Sequence, residues 1–162
     1  EALLPMDQKF QVVIQGSGAV AIENELVRLA SDSKYQGRVC LLRGYDQALA
    51  TRIDAAGDFF LVPSRLEPCG LTDFIAQLFG NLPIVHHVGG LVKVIDAETG
   101  FGYEDNSPEN LVKAMRRAFQ VYRKKPLIRK MQAAAVDRID RYHNWNQVMK
   151  NYIMFIMFLI IL

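Results

Sequence analysis

The stretch Pro63-Ser64-Arg65-Leu66-Glu67-Pro68-Cys69-Gly70-Leu71 brings a carboxylate and a thiol into one short loop. It follows the apolar run Phe59-Phe60-Leu61-Val62 and precedes an apolar helical pattern from Leu71 to Phe79. A strand, a sharp loop and a helix are expected. Pro68 stiffens the loop, and Gly70 lets the backbone approach a ligand closely. The N–H groups of Gly70, Leu71 and Thr72 are expected to be unpaired at the helix start. Together with the helix dipole they suit an anion such as a diphosphate. Thr72 could add a hydroxyl donor. Glu67, about one loop-width away, could accept hydrogen bonds from the hydroxyls of a neutral group attached to that phosphate. The same residues also fit a plainer arrangement, a capped helix with Glu67 in solvent. Cys69 reads as a small loop residue rather than a nucleophile, because no sequence feature assigns it a base.

The elements around this loop alternate. Phe10–Gln15 reads as a buried strand, followed by a Gly16-Ser17-Gly18 turn and a helix with Ile22, Leu26 and Leu29 on one face. Val39–Leu42 is the next strand and ends at Arg43-Gly44-Tyr45; Asp46 is a good N-cap for a helix carrying Leu49, Ile53 and Ala56 inward. Phe59–Val62 and Leu82–His86 are two more strands, and Val88-Gly89-Gly90-Leu91 leads into a short helical segment. Gly100–Tyr103 is a short strand or turn. Ser107-Pro108 opens a helix with Leu111, Met115, Ala118, Phe119 and Tyr122 on one face. Pro126 opens another, with Ile128, Met131, Ala135 and Ile139 inward, and Trp145 begins a last amphipathic piece.

Such alternation predicts βαβ units and a parallel sheet covered by helices on both faces, an α/β fold. Sheets of this kind bind ligands at the carboxyl ends of their strands. Gly16–Gly18, Arg43–Tyr45 and Ser64–Leu71 sit at those ends, so a single binding crevice is expected there. Gly16-Ser17-Gly18 on its own is more often a tight turn than a phosphate cradle.

Composition narrows the function classes. The 162 residues are 51% hydrophobic and 22% charged, ordinary for one globular domain. A net charge of +2 is too small to argue for nucleic acid as a partner. Arg116-Arg117 and Arg123-Lys124-Lys125 read as a solvated helix face. Cys40 and Cys69 make no disulfide framework, so a reducing, cytoplasmic setting is expected. His86 and His87 are adjacent on a strand, point to opposite faces and lack a spaced Cys/His set, so no metal site is expected. Tyr152–Leu162 (YIMFIMFLIIL) carries no charge but falls short of the roughly 18–20 residues of a membrane span. A buried or partner-packed helix is the expected use; exposed, it would favour self-association.

The run Phe60–Thr72 resembles the signature of bacterial glycogen synthases and plant starch synthases. Gly44-Tyr45-Asp46 with Leu49, Ala50 and Ile53, then Ala56-Gly57-Asp58, Gly89-Gly90-Leu91, Thr99-Gly100-Phe101 and Trp145, stand at the spacing of that family, over about residues 8–150. Several motifs in order are more specific than one glycine-rich loop. The resemblance implies a glycosyltransferase of two Rossmann-like domains facing a cleft. Such enzymes transfer glucose from ADP-glucose to an α-1,4-glucan with retention at the anomeric carbon.

This chain resembles the C-terminal, donor-binding domain. Residues 1–150 would be that domain, cut at its N-terminal edge, and 151–162 an apolar tail continuing the closing helix. The resemblance implies that Glu67 is the catalytic-site carboxylate contacting the donor glucose. Cys69, Gly70, Leu71 and Thr72 would surround the glucose and distal phosphate, and Tyr45 would pack on the adenine. Gly16, Gly18, Gly44, Gly89 and Gly90 are further pocket candidates. No cofactor is implied beyond ADP-glucose as donor substrate. The glucan acceptor would be held mainly by an N-terminal domain that is expected upstream, along with the family's diphosphate-binding arginine and lysine. The isolated chain is therefore expected to bind donor weakly without transferring it. The location would be cytoplasmic, or plastid in a plant.

Three departures stand out. Asp73 replaces the usual Gln, His87-Val88 replace Ala-Thr, and Lys93 replaces a common Asp. Asp73 suits the helix dipole but is expected to disfavour a nearby diphosphate. Related glycosyltransferases carry a second glutamate where this chain has Ile75, which favours the glycogen synthase branch. The competing reading is a non-catalytic nucleotide- or glucan-binding module.

Overall fold

In the computed structural model, which describes residues 10–161, the alternating apolar runs become strands and the amphipathic stretches helices. The chain divides into two compact units between Ala56 and Gly57.

In the first unit β1 (Val12–Gly16) pairs in parallel with β2 (Val39–Arg43), in register from Val12 opposite Val39 to Gly16 opposite Arg43. Helix α1 (Val20–Ser31) connects them, followed by a 3-10 turn at Ser33–Tyr35 whose Tyr35 is buried. Leu26 and Leu29 are half-buried, but Ile22, expected on the same inward face, is exposed. Ile22 lies in the first turn of α1, directly after the glycine turn. Helix α2 (Gln47–Ala56) begins where expected, because Asp46 Oδ1 accepts the Leu49 N–H at 2.8 Å.

The second unit holds a three-stranded parallel sheet in the order β3 (Phe59–Val62), β4 (Leu82–His86), β5 (Phe101–Tyr103). β4 is central, paired from Phe59–Leu82 on one side to His86–Tyr103 on the other. A strand covered on both faces reads as a continuous apolar run, and Leu82, Ile84 and Val85 are fully buried. Each such side chain contributes about 1.5–3 kcal/mol by leaving water. Helix α3 (Leu71–Leu78) connects β3 to β4, and a 3-10 segment (Gly89–Lys93) leads from β4 toward β5.

Ser107 caps helix α4 (Pro108–Tyr122) with Pro108 in its first turn. Met115 and Ala118 are buried, as the spacing predicts. In α5 (Lys125–Arg138) the period holds throughout, with Ile128, Met131 and Ala135 buried, and Ile139 beyond its end buried too. One π-helical turn (Ile139–His143) precedes α6 (Trp145–Ile161), which runs unbroken into the apolar tail. From Tyr152 to Phe158 its side chains are exposed. No helix among the described residues is long and apolar enough to cross a membrane. Parallel strands alternating with helices make this a Rossmann-like α/β fold.

Candidate functional site

The loop leaving β3 reaches the start of α3 at Gly70, whose left-handed backbone (φ 69°, ψ 64°) turns the chain into the helix. A side chain there has no room. A Cβ would lie 2.8 Å from Asp73 Oδ1, 2.8 Å from Leu91 Cδ2 and 2.9 Å from Lys93 Nζ.

Glu67 does not stand in solvent. Its Oε1 accepts the Gly70 N–H at 3.0 Å, and Ser64 Oγ donates to Oε2 at 3.4 Å. The expected set of unpaired N–H groups is thereby corrected: Gly70 already has a partner. The reason is reach, since a carboxylate three residues before a helix start can fold back onto it as a capping group does. Leu71 and Thr72 are exposed at the first turn.

Gly89 and Gly90 form the floor of this loop. The Gly90 N–H donates to Glu67 O at 2.8 Å. A Cβ on Gly89 would sit 2.0 Å from Glu67 O, and one on Gly90 2.1 Å from Cys69 O. These glycines let two backbone segments touch, so their place is beneath the loop. Cys69 has an exposed thiol, and the fold uses its carbonyl.

Beneath the helix start lie the two departures, Asp73 and Lys93. Asp73 turns inward and is completely buried, where Gln77 Nε2 donates to its Oδ2 at 3.2 Å. Its Oδ1 lies 3.0 Å from Lys93 Nζ, at ion-pair range though without the alignment of a hydrogen bond. Lys93 Nζ also donates to Cys69 O at 2.6 Å and to Gly70 O, and it sits 4.0 Å from the centre of the Phe74 ring. Burial pushes the Asp73 carboxyl above its ordinary range, and Lys93 pulls it only part of the way back. Asp73 is therefore paired with a neighbouring cation at the helix start, a partner that the sequence reading of it as a lone negative charge did not include. Nothing local in the sequence marks this pair. Its signal is that both positions depart from the family pattern, in opposite senses of charge.

Both histidines are ties. His86 places Nδ1 2.6 Å from Ser64 O and Nε2 2.9 Å from Glu104 O. His87 reaches Glu104 Oε1 at 3.1 Å and Val94 O at 2.9 Å. Among the described residues no group of three or more His, Cys, Asp or Glu side chains could hold a metal ion.

In the first unit, the loops after β1 and β2 are joined by the Gly44 N–H donating to Gly16 O at 3.0 Å. Gly18 donates its N–H to Glu23 Oε1 at 2.8 Å, and Arg43 pairs with Glu23 Oε2 at 3.0 Å. The Gly18 hydrogen bond, aided by Arg43, holds the Glu23 carboxyl below its usual range. Sequence reasoning missed this Glu23–Arg43 link, which occupies the glycine turn with the chain's own carboxylate. Tyr45 is 73% exposed, and its hydroxyl donates to Gln47 Oε1. A largely free ring face of this kind can take a flat aromatic ligand. Gly16, Gly18, Gly44 and Tyr45 thus gather in the first unit, and Glu67, Cys69, Gly70, Leu71, Thr72, Gly89 and Gly90 in the second.

Comparison with known proteins places these loops in a family. A glycogen synthase of Xanthomonas campestris is 39% identical over 144 residues, which are 88% of this chain and 29% of that protein. A glycogen synthase of Francisella tularensis is 41% identical over 138 residues, covering 79% of this chain and 28% of that protein. The chain thus spans under a third of the length of these curated relatives. Among solved structures, the catalytic domain of starch synthase IV from Arabidopsis thaliana, bound to ADP and acarbose, superposes with a TM-score of 0.70 at 33% identity. That match covers 77% of this chain and 28% of the other. Residues 2–138 match the family described as glycosyl transferases group 1, and the chain belongs to it.

Proposed function

We propose that this chain is the donor-binding part of a retaining glycosyltransferase that moves glucose from ADP-glucose to an α-1,4-glucan. The observation that carries the reading is the Glu67–Thr72 loop, with a carboxylate folded onto a helix start whose next residues, Leu71 and Thr72, are exposed. Similarity to glycogen synthases and to a starch synthase bound to ADP supports the substrate class.

The chemistry follows from the parts. A donor diphosphate would sit against the Leu71 and Thr72 N–H groups and the Thr72 hydroxyl, favoured by the helix dipole. Glu67 would exchange its bond to Gly70 for hydroxyls of the glucose, holding the sugar in the orientation for attack. Release of Glu67 would leave the Gly70 N–H for the phosphate. In the transfer, the bond from the anomeric carbon to the diphosphate oxygen breaks. The acceptor hydroxyl oxygen bonds to that carbon on the same face, and its proton passes to the departing diphosphate. The helix-start donors stabilise the charge that develops there. Transfer belongs to the longer parent protein, and binding to this chain.

Calorimetry on the chain tests the reading. ADP-glucose should bind more tightly than glucose, and Glu67→Ala should weaken ADP-glucose more than ADP. No heat with ADP-glucose at millimolar concentration would overturn it. Binding without glucosyl transfer by the full-length parent would instead favour a non-catalytic nucleotide-binding module.

A further inference from the structure

We infer that Lys93 is a positioning residue for the donor loop, with Asp73 as its buried counter-charge. The inference rests on the reading of residues 67–72 as the donor site.

The argument begins with the peptide plane. In a trans peptide the C=O and the following N–H point in opposite directions. Lys93 Nζ binds the carbonyls of Cys69 and Gly70 from below the loop. The Cys69–Gly70 peptide therefore turns the Gly70 N–H away from the ammonium, and that N–H meets Glu67 Oε1 at 3.0 Å. The Gly70–Leu71 peptide turns the Leu71 N–H away from the ammonium by the same rule. One cation thus sets the direction of two donors, one that orients the carboxylate and one that opens the helix.

The cation must itself be held. Asp73 holds it electrostatically at 3.0 Å, the Phe74 ring packs on it at 4.0 Å, and Arg138 Nε donates to the Lys93 carbonyl at 3.3 Å. The lysine side chain is only 13% exposed, so the ion pair is weakly screened. Asp73 cannot lose Lys93 cheaply, because an unpaired buried carboxylate carries its full desolvation cost. The pair also cancels the negative charge that Asp73 would otherwise bring to an anion site.

Amide hydrogen exchange followed by NMR on the full chain tests this without a ligand, and ADP titration tests it with one. Lys93→Met should raise the Gly70 exchange rate roughly tenfold relative to Val85 in β4, and weaken ADP by about the same factor, as expected for loss of hydrogen bonds to a charged group. Lys93→Arg, which keeps donors and charge, should stay within about threefold of the parent in both. If Lys93→Met does not fold, Lys93→Gln replaces it, and the Gly70 rate should again rise relative to Val85. A Gly70 rate that stays in step with Val85 overturns the inference. A parent chain that binds no ADP overturns the donor-site reading instead, and the exchange ratio still decides the role of Lys93.

Discussion

Glu67 Oε1 accepts the Gly70 N–H at 3.0 Å, so the carboxylate proposed to grip a sugar closes its own loop first. Binding at Glu67 is then an exchange of partners, and the net gain is smaller than a new hydrogen bond would give. A hydrogen bond to a charged group contributes about 1.5–3 kcal/mol net. Glu67→Gln keeps an oxygen for Gly70 but weakens the grip on sugar hydroxyls. ADP-glucose affinity should fall by about 10-fold, at the lower end of that range, while ADP affinity stays within about twofold. Titration calorimetry with both ligands checks this, and an equal loss for both would place Glu67 outside the sugar site.

Among the candidate pocket glycines, Gly89 and Gly90 lie beneath the loop, while Gly16, Gly18 and Gly44 stand beside open space. A Cβ on Gly90 would stand 2.1 Å from Cys69 O, whereas one on Gly18 meets nothing within 4 Å. Gly90→Ala should push the loop off its floor and cost about 1–3 kcal/mol, the usual range for overpacking. Gly18→Ala should change stability by less than about 0.5 kcal/mol. Urea unfolding of the two variants measures both, and equal stability would contradict the close approach.

His143 makes stability depend on pH. Its ring lies 4.9 Å from that of Phe74, and its Nε2 is buried without a partner. Burial, with Arg138 and Lys93 nearby, pushes the imidazole below its ordinary 6.5. The unfolded chain therefore binds a proton that the folded chain resists. Stability from this group is full above 6.5 and is lost as pH falls toward the folded value. His143→Phe removes the titration and keeps an aromatic ring against Phe74. Thermal melts between pH 7.5 and 5 should show a smaller loss for the variant than for the parent chain, and parallel losses would refute the assignment.

Much of the fold was legible because local rules agreed with the final packing. Ser107 and Pro108 start a helix as capping chemistry requires, and Ile128, Met131 and Ala135 keep one buried face. The apolar run Leu82–Val85 became the central strand. The failures share a cause, which is that contacts between distant parts of the chain carry no local period. Lys93 reaches back to Cys69, Gly70 and Asp73. Read separately, the two departures suggested a weakened anion site; together they form one neutral pair. Glu67 stands out in the sequence by type and position, but its partner Gly70 is hidden there, because a free carboxylate and a capping one have the same sequence. Ile22 fits the helical period but stays exposed, since periodicity proposes a face and only packing covers it.

Asp96 and Arg117 clamp the last strand and bring a second pH dependence of opposite chemistry. Arg117 reaches Asp96 Oδ2 at 2.7 Å and donates to Gly102 O at 2.7 Å, while the Gly102 N–H donates to Asp96 Oδ1 at 2.9 Å. Burial pushes the Asp96 carboxyl up, but Arg117, the Gly102 N–H and the charge on His87 outweigh it and leave the group below its ordinary 3.8. A depressed carboxyl contributes stability above its unfolded value and loses it as pH falls through the folded one. Arg117→Met removes the main opposing charge and the bond to Gly102. The variant should be less stable than the parent at pH 6, and the gap should narrow at pH 3, below the ordinary 3.8 of the carboxyl, as the contribution of the depressed group is lost with falling pH. Urea melts at the two pH values provide the comparison. A gap of the same size at both would mean that Arg117 acts only through the Gly102 carbonyl and that its charge on Asp96 contributes nothing.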